Sequence, residues 1–71
     1  MPRHLVVNGT KARRLRSQAK LTQEVAAVRV HMAVSSLRRI ESGGESVQLT
    51  TLGKLAVLYN VQPNELLQWV K

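Results

Sequence analysis

The chain contains no cysteine and no phenylalanine, and its only aromatic side chains are Tyr59 and Trp69. Without cysteine it forms neither a disulfide bond nor a thiolate metal site. Two histidines, His4 and His31, are too few to supply the three or four ligands of a protein zinc site. We therefore expect an aliphatic core, a reducing cytoplasmic setting, and no metal, cofactor or small-molecule ligand.

Acidic residues are also scarce, since the 71-residue chain has four glutamates and no aspartate. These few carboxylates, without a cysteine nucleophile or a glycine-rich phosphate loop, leave nothing from which a catalytic site is built. No apolar run approaches the roughly 20 residues that span a bilayer, and the apolar stretch that begins the chain is too short for a signal peptide. The sequence thus argues against an enzyme, a membrane protein and a secreted protein.

Positive charge is abundant and unevenly placed, with a formal net charge of +7. Residues 1–39 hold nine lysines and arginines and one acid, Glu24, whereas residues 40–71 hold two basic residues and three glutamates. Clustered basic side chains attract the phosphate backbone of nucleic acids and accelerate association with it. The charge distribution therefore favours a polyanionic partner that binds the N-terminal half of the chain.

Local patterns predict an N-terminal arm, residues 1–9, and one helical domain, residues 10–71. The arm contains the β-prone run Leu5-Val6-Val7. In the domain, apolar residues recur at helical spacing. The predicted helices cover about residues 11–19, 23–30, 34–41 and 49–59, and a fifth begins at Pro63.

The predicted helix ends follow from individual residues. Thr10 and Thr22 are suitable N-caps, because their hydroxyls can accept a hydrogen bond from a free amide of the first turn. Gly43 and Asn60 accept the left-handed backbone that often ends a helix. Pro63 suits the first position of a helix, where its missing N–H costs nothing.

The second and third predicted helices are separated by only three residues, 31–33. Two helices joined by so short a turn form the helix-turn-helix layout, in which the second of them enters the major groove of DNA. In this chain that helix carries Leu37 and Ile40 on one side and polar and basic residues on the other. The layout and the charge thus favour the same partner, duplex DNA.

Several short motifs follow one another along residues 11–68. They are Leu15-Arg16, Leu21-Thr22-Gln23-Glu24, Ala27, Leu37, Ile40-Glu41, Gly43, residues 49–56 and residues 61–66. In this order and spacing they resemble the Cro/CI-type helix-turn-helix family of phage and bacterial repressors, also called the XRE family. The resemblance implies an all-α, compact, five-helix, lambda-repressor-like DNA-binding domain with a short N-terminal arm.

The resemblance also implies a function. We expect a sequence-specific transcriptional regulator, and in particular a repressor, that binds a double-stranded DNA operator and reads the major groove with helix 3. Stand-alone domains of this size look like phage Cro-like repressors, restriction-modification controllers or antitoxins, and they lack a second, ligand-sensing domain. The expected location is the bacterial nucleoid, or the host cytoplasm if the protein is phage-encoded.

Site residues carry over by position. The residues expected to face base edges are Val34, Ser35, Arg38 and Arg39, of which Arg39 can pair bidentately with guanine. For Val34 the competing interpretation is core packing beside Leu37, and for the two arginines it is a solvated charged face. The residues expected to contact phosphates are Arg13, Lys20, Thr22, Gln23, Ser42, Gly43 and Gly44. Arg16 and Glu41 match positions that form a partly buried, structural ion pair.

Two positions depart from the family pattern. His31 stands where the turn usually has glycine, so a positive φ there should cost roughly 1 kcal/mol. Ala33 replaces the usual hydroxyl cap of helix 3, at a similar cost of about 1 kcal/mol. We therefore expect the N-terminal end of helix 3 to be irregular or shifted toward Ser35.

The sequence leaves several alternatives open. The protein is either a DNA-binding regulator or an antitoxin or adaptor whose main role is to bind another protein; a membrane-active basic peptide fits the short apolar stripe of helix 1 less well. A homodimer would form through helix 5, with Leu67, Trp69 and Val70, or through the arm.

Overall fold

The computed structural model describes residues 4–43 and 47–70 of the chain. Its elements in chain order are β1 (His4–Val7), α1 (Gly9–Gln18), α2 (Gln23–Arg29), α3 (Val34–Ser42), α4 (Leu49–Tyr59), a 3-10 turn (Pro63–Leu66) and β2 (Leu67–Val70). Four helices therefore surround the core, and the two strands close the fold by joining its two ends. None of the helices in the described part of the chain is long and apolar enough to cross a membrane.

The expectation of five α-helices is wrong at the C-terminal end. The segment that begins at Pro63 makes a single 3-10 turn and becomes extended at Leu67, with φ −112° and ψ 154°. β2 then pairs antiparallel with β1, so that Leu5 lies opposite Trp69. A segment this short is compatible with either a helix or a strand, and the β-prone run near the N-terminus supplies the strand partner.

The core is mainly aliphatic and draws on β1, the four helices and the 3-10 turn. Its buried apolar residues are Val6, Val7, Ala12, Ala26, Ala27, Val30, Leu37, Ile40, Leu52, Leu55, Ala56, Tyr59 and Leu66. Both β1 and the 3-10 turn therefore contribute to the same core as the helices. Small residues on α2 let this helix lie close to its neighbours, because an alanine side chain keeps two helix axes near each other.

The starts of the first three helices differ in which residue acts as the N-cap. Asn8, not Thr10, is the N-cap of α1: its side-chain oxygen accepts a 3.1 Å hydrogen bond from the Lys11 amide, and the helix begins two residues earlier than expected. Thr22 caps α2 as expected, since its hydroxyl accepts a bond from the Val25 amide. At Ala33 no side-chain cap bond forms, yet α3 begins at Val34 without a shift.

Three helices end in the same way on residues other than glycine. Lys20, His31 and Asn60 follow α1, α2 and α4 with φ of 61°, 57° and 58°. At each of them, the amide of the left-handed residue and the amide of the next residue bond back into the last turn, as in Lys20 N to Ser17 O and Leu21 N to Arg16 O. This pair of bonds defines the Schellman motif, which satisfies the free carbonyls at a helix end and offsets the strain of the left-handed residue.

Two glycines on helices have opposite structural settings. At Gly9 an added Cβ would lie 2.6 Å from the carbonyl oxygen of Glu41 and 2.7 Å from the amide nitrogen of Gly43, so the start of α1 touches the backbone at the end of α3. At Gly53, in the middle of α4, an added Cβ would meet no atom of the described residues within 4 Å. The first glycine is therefore required by packing, and the second is not.

We predict that Gly9→Ala and Gly53→Ala change stability in opposite directions. Gly9→Ala should destabilise the fold by about 1–3 kcal/mol, because backbone atoms must move apart. Gly53→Ala should stabilise it by about 0.5–1 kcal/mol, because glycine is costly within a helix. Urea denaturation of both variants measures this, and a Gly9→Ala variant as stable as the wild type would contradict the close approach of α1 to α3.

Candidate nucleic-acid interface

The outer face of α3 is polar and basic, whereas its inner face is buried against the rest of the domain. Leu37, Ile40 and Glu41 are buried. With about 3.6 residues per turn, the side opposite to them carries four exposed residues: Ser35, Arg38, Arg39 and Ser42. The two serines, two turns apart, form the centre line of this face, and each arginine lies on one flank of it.

A hydrogen-bonded ion pair fixes how α3 is rotated against α1. Arg16 Nε donates to Glu41 Oε2 at 2.7 Å, and Arg16 Nη2 donates to Glu41 Oε1 at 3.1 Å. The side chains of Arg16 and Glu41 are 13% and 3% exposed. The hydrogen bond to Glu41 is the main reason why the pKa of Arg16 lies above its ordinary value. This is the pair that the family resemblance implied.

The same pair reaches two further elements. Arg16 Nη1 donates to the carbonyl oxygen of Leu21 at 2.8 Å, in the turn between α1 and α2. The side-chain amide of Gln23, at the start of α2, donates to Glu41 Oε1 at 3.0 Å. One carboxylate therefore holds α1, α2 and α3 together, and one of the two amide hydrogens of Gln23 is already committed.

A small polar cavity of about 180 Å³ opens beside this network. It is lined by Arg13, Gln23, Arg38, Glu41 and Ser42. Three of the residues expected to contact phosphates thus converge from three different helices, and Arg38 joins them. We call this cluster the basic pit.

Arg39 lies on the other flank of α3, in a separate cleft of about 190 Å³ between α3 and α4. The cleft also includes Gln48 and Thr51, two polar residues at the start of α4. Neither residue is among those that the sequence motifs indicated. The signal that could have found them is their place directly after the α3–α4 loop, on the side of α3 that carries Arg39.

The remaining candidate residues are placed less uniformly. Val34 is half-buried and packs against the core, which is the competing interpretation of that residue. Lys20 is exposed at the turn after α1. The hydroxyl of Ser42 donates to the carbonyl oxygen of Arg39 at 2.7 Å, so a bond from it to a phosphate requires that this contact breaks. Gly43 ends α3 with φ 93° and ψ 163°, and Gly44 lies outside the described residues.

Tyr59 is a buried polar group beside the ion pair. Among the described residues its hydroxyl finds no hydrogen-bond partner. Burial is the main cause that raises the pKa of Tyr59 to about 12, the nearby Glu41 adds to the increase, and Arg16 opposes it.

Within residues 4–43 and 47–70, no group of three histidine or carboxylate side chains is close enough to share a metal ion.

We predict that Arg16→Ala and Glu41→Ala each lower the free energy of unfolding by about 3 kcal/mol, because each strands a buried polar partner. The double mutant should lose less than the sum of the two, since both remove the same interaction. Chemical denaturation of the three variants tests the coupling. Arg14→Ala, an exposed arginine on the same helix, is the control and should change stability by less than about 0.5 kcal/mol.

The titration of Tyr59 is directly observable because it is the only tyrosine. We predict an absorbance midpoint at a pH of about 12 in the folded protein, against about 10 in urea. The pKa of Tyr59 is higher in the folded state than in the unfolded state. The contribution of its neutral phenol to the free energy of unfolding is therefore fully present below pH 10 and is lost as the pH rises through 12. Tyr59→Phe should remove this part of the alkaline destabilisation, and a folded midpoint near 10 would contradict burial of the hydroxyl.

Comparisons with known proteins place this geometry in a family. The model of a family described as a helix-turn-helix domain matches residues 9–69. Among solved structures, the restriction-modification controller protein C.AhdI from Aeromonas hydrophila is similar, with a TM-score of 0.74 and 33% sequence identity over 82% of this chain and 88% of that chain. Comparison with the curated proteins finds no match. The family match runs from the start of α1 to within β2, and so covers the ion pair, the basic pit and the outer face of α3.

Proposed function

The chain belongs to the XRE-type helix-turn-helix family of DNA-binding transcriptional regulators, and from this premise we propose that it binds an operator through α3 in the major groove and acts as a repressor. The observation that carries the proposal is the outer face of α3. This face has two small hydroxyl side chains on its centre line and an arginine on each flank. Small residues allow a helix to approach base edges closely, and arginine is the side chain that most often reads guanine.

We assign different roles to the two arginines of α3. Arg39 has the cleft beside α4 on one side and the centre line of the helix on the other, so it is free to reach a guanine O6 and N7. Arg38 faces the basic pit with Arg13 and Gln23, where positive charge from two helices meets. We therefore place Arg38 on a backbone phosphate and Arg39 on a base.

The proposed phosphate contacts lie in and beside the basic pit. Arg13 and Arg38 supply the charge, and Gln23 supplies its remaining amide hydrogen, since the other one donates to Glu41. Lys20, exposed between α1 and α2, adds a further cation at the edge of this surface. Contacts of this kind position a protein on duplex DNA without selecting a sequence.

We also propose that the protein binds DNA as a homodimer. Symmetric half-sites about one helical turn apart add their contacts when the protein is a dimer. The sequence offered helix 5 or the arm as the dimer surface, and the structure joins these two segments in one sheet. The exposed neighbours Leu5 and Trp69 on this sheet, which are 42% and 61% exposed, supply apolar area for the contact.

The experiment that tests the proposal begins with selection of bound sequences from a random duplex pool. We predict that Arg39→Ala weakens binding to the selected operator by about 1–3 kcal/mol and relaxes the preference at one base pair, a guanine. Affinities for the operator and its single-base variants measure this. Unchanged base preference in Arg39→Ala, with a change in Ser35→Ala or Arg38→Ala, would contradict the assigned rotation of α3.

The matched controls are substitutions of residues that we propose to contact phosphates. Arg13→Ala and Lys20→Ala should weaken all sequences about equally, and each should reduce the slope of log K against log[salt] by about 0.9. A flat dependence of wild-type binding on salt would contradict the electrostatic part of the proposal.

A further inference from the structure

The outer face of α4 is an apolar surface that the chain's described residues do not cover. Leu49 and Val57 are 83% and 82% exposed and lie two turns apart on the same face of α4, with Gly53 between them. The inner face of the helix is buried in the core through Leu52, Leu55, Ala56 and Tyr59. A helix that is apolar on both faces is typical of one that is covered on both.

Next to this face is an open groove of about 800 Å³ between α4 and the end of α2. Its lining includes Arg29, His31, Gly53, Lys54, Val57 and Leu58. We call this surface the α4 groove. Its open shape suits a helix laid along α4.

Gly53 is the residue that points to close contact with another molecule. Apart from proline, glycine is the least favourable residue in the interior of a helix. In the part of the chain that the structure describes, neither a positive φ nor a neighbouring atom requires glycine at this position. A side chain here would instead project into the α4 groove, so the absence of one lets the backbone of a partner approach α4 closely.

The charge of the groove decides which partner fits. Among residues 4–43 and 47–70, Arg29 and Lys54 line it and no acidic side chain does. Lys54 is also the only charged residue of α4. A second copy of this chain, docked face to face about Gly53, would bring the two Lys54 side chains together, and like charges at an interface are unfavourable. Carboxylates are the complementary groups.

We propose that the α4 groove binds an amphipathic helix of another protein, one whose apolar stripe packs on Val57 and Leu58 and whose flanking acidic residues meet Arg29 and Lys54. None of the groove residues belongs to the outer face of α3 or to the basic pit. The groove is therefore a second interaction surface, and the partner binds whether or not DNA occupies the first.

The test uses the full chain, free and saturated with duplex DNA, and two synthetic helical peptides with the same apolar stripe. One peptide carries glutamates beside the stripe and the other carries lysines. In amide NMR titrations the acidic peptide should shift the signals of Arg29, Gly53, Lys54 and Val57, and bind at least tenfold more tightly than the basic one. Lys54→Glu should reverse this preference.

Gly53→Leu tests the close approach. It should weaken binding of the acidic peptide at least tenfold while DNA affinity stays within twofold. Val28→Leu is the matched control, since it enlarges an exposed apolar residue of α2 that lies outside the groove and should change neither affinity.

Three results would overturn the proposal. The first is equal binding of both peptides, or no binding of either peptide at concentrations up to about 1 mM; a Kd of 1 mM corresponds to a binding free energy of only about 4 kcal/mol. The second is a set of shifted signals that lies outside the groove. The third is a dimer, seen by sedimentation, that Gly53→Leu dissociates, because it would assign the face to a second copy. Failure of DNA binding in the wild type would count against the proposed function and leave the peptide results standing.

Discussion

The bond between Arg16 and Glu41 is the interaction on which the arrangement of the helices depends. A carboxylate that is 3% exposed is tolerable only because three donated hydrogen bonds compensate for its lost hydration. Those donors come from α1 and α2, while the carboxylate belongs to α3. Gly9 complements the pair, because its missing side chain lets α1 reach the end of α3. Three helices are thereby held in one relative orientation.

The exposed face of α3 is a consequence of that orientation. Because Glu41 points inward together with Leu37 and Ile40, the two arginines must lie on opposite flanks of the helix. Their different surroundings, the basic pit and the cleft beside α4, are the basis for giving them different roles in DNA binding. The ion pair also fixes the amide of Gln23, so the same contact that stabilises the fold orients a residue of the proposed DNA surface.

The proposed DNA surface and the α4 groove belong to different parts of the molecule and differ in character. The first is polar, strongly basic and built around α3, whereas the second is apolar with a basic rim and is built on α4. A small regulator with two such surfaces can hold DNA and a protein at once. On these two proposals, the function of the protein would depend on the partner that the α4 groove brings to the DNA as well as on the operator.

The sequence by itself determined the four α-helices, the turn between α2 and α3, the cap at Thr22 and the left-handed residues His31 and Asn60. Capping, apolar spacing and turn residues act within a few positions, so the local sequence suffices to predict them. Only the tertiary structure decided that the last segment is a strand, that Asn8 caps α1, and that Arg38 and Arg39 have different neighbours. These outcomes depend on contacts between residues far apart in the chain, such as β1 with β2 and α1 with α3, which no local pattern contains.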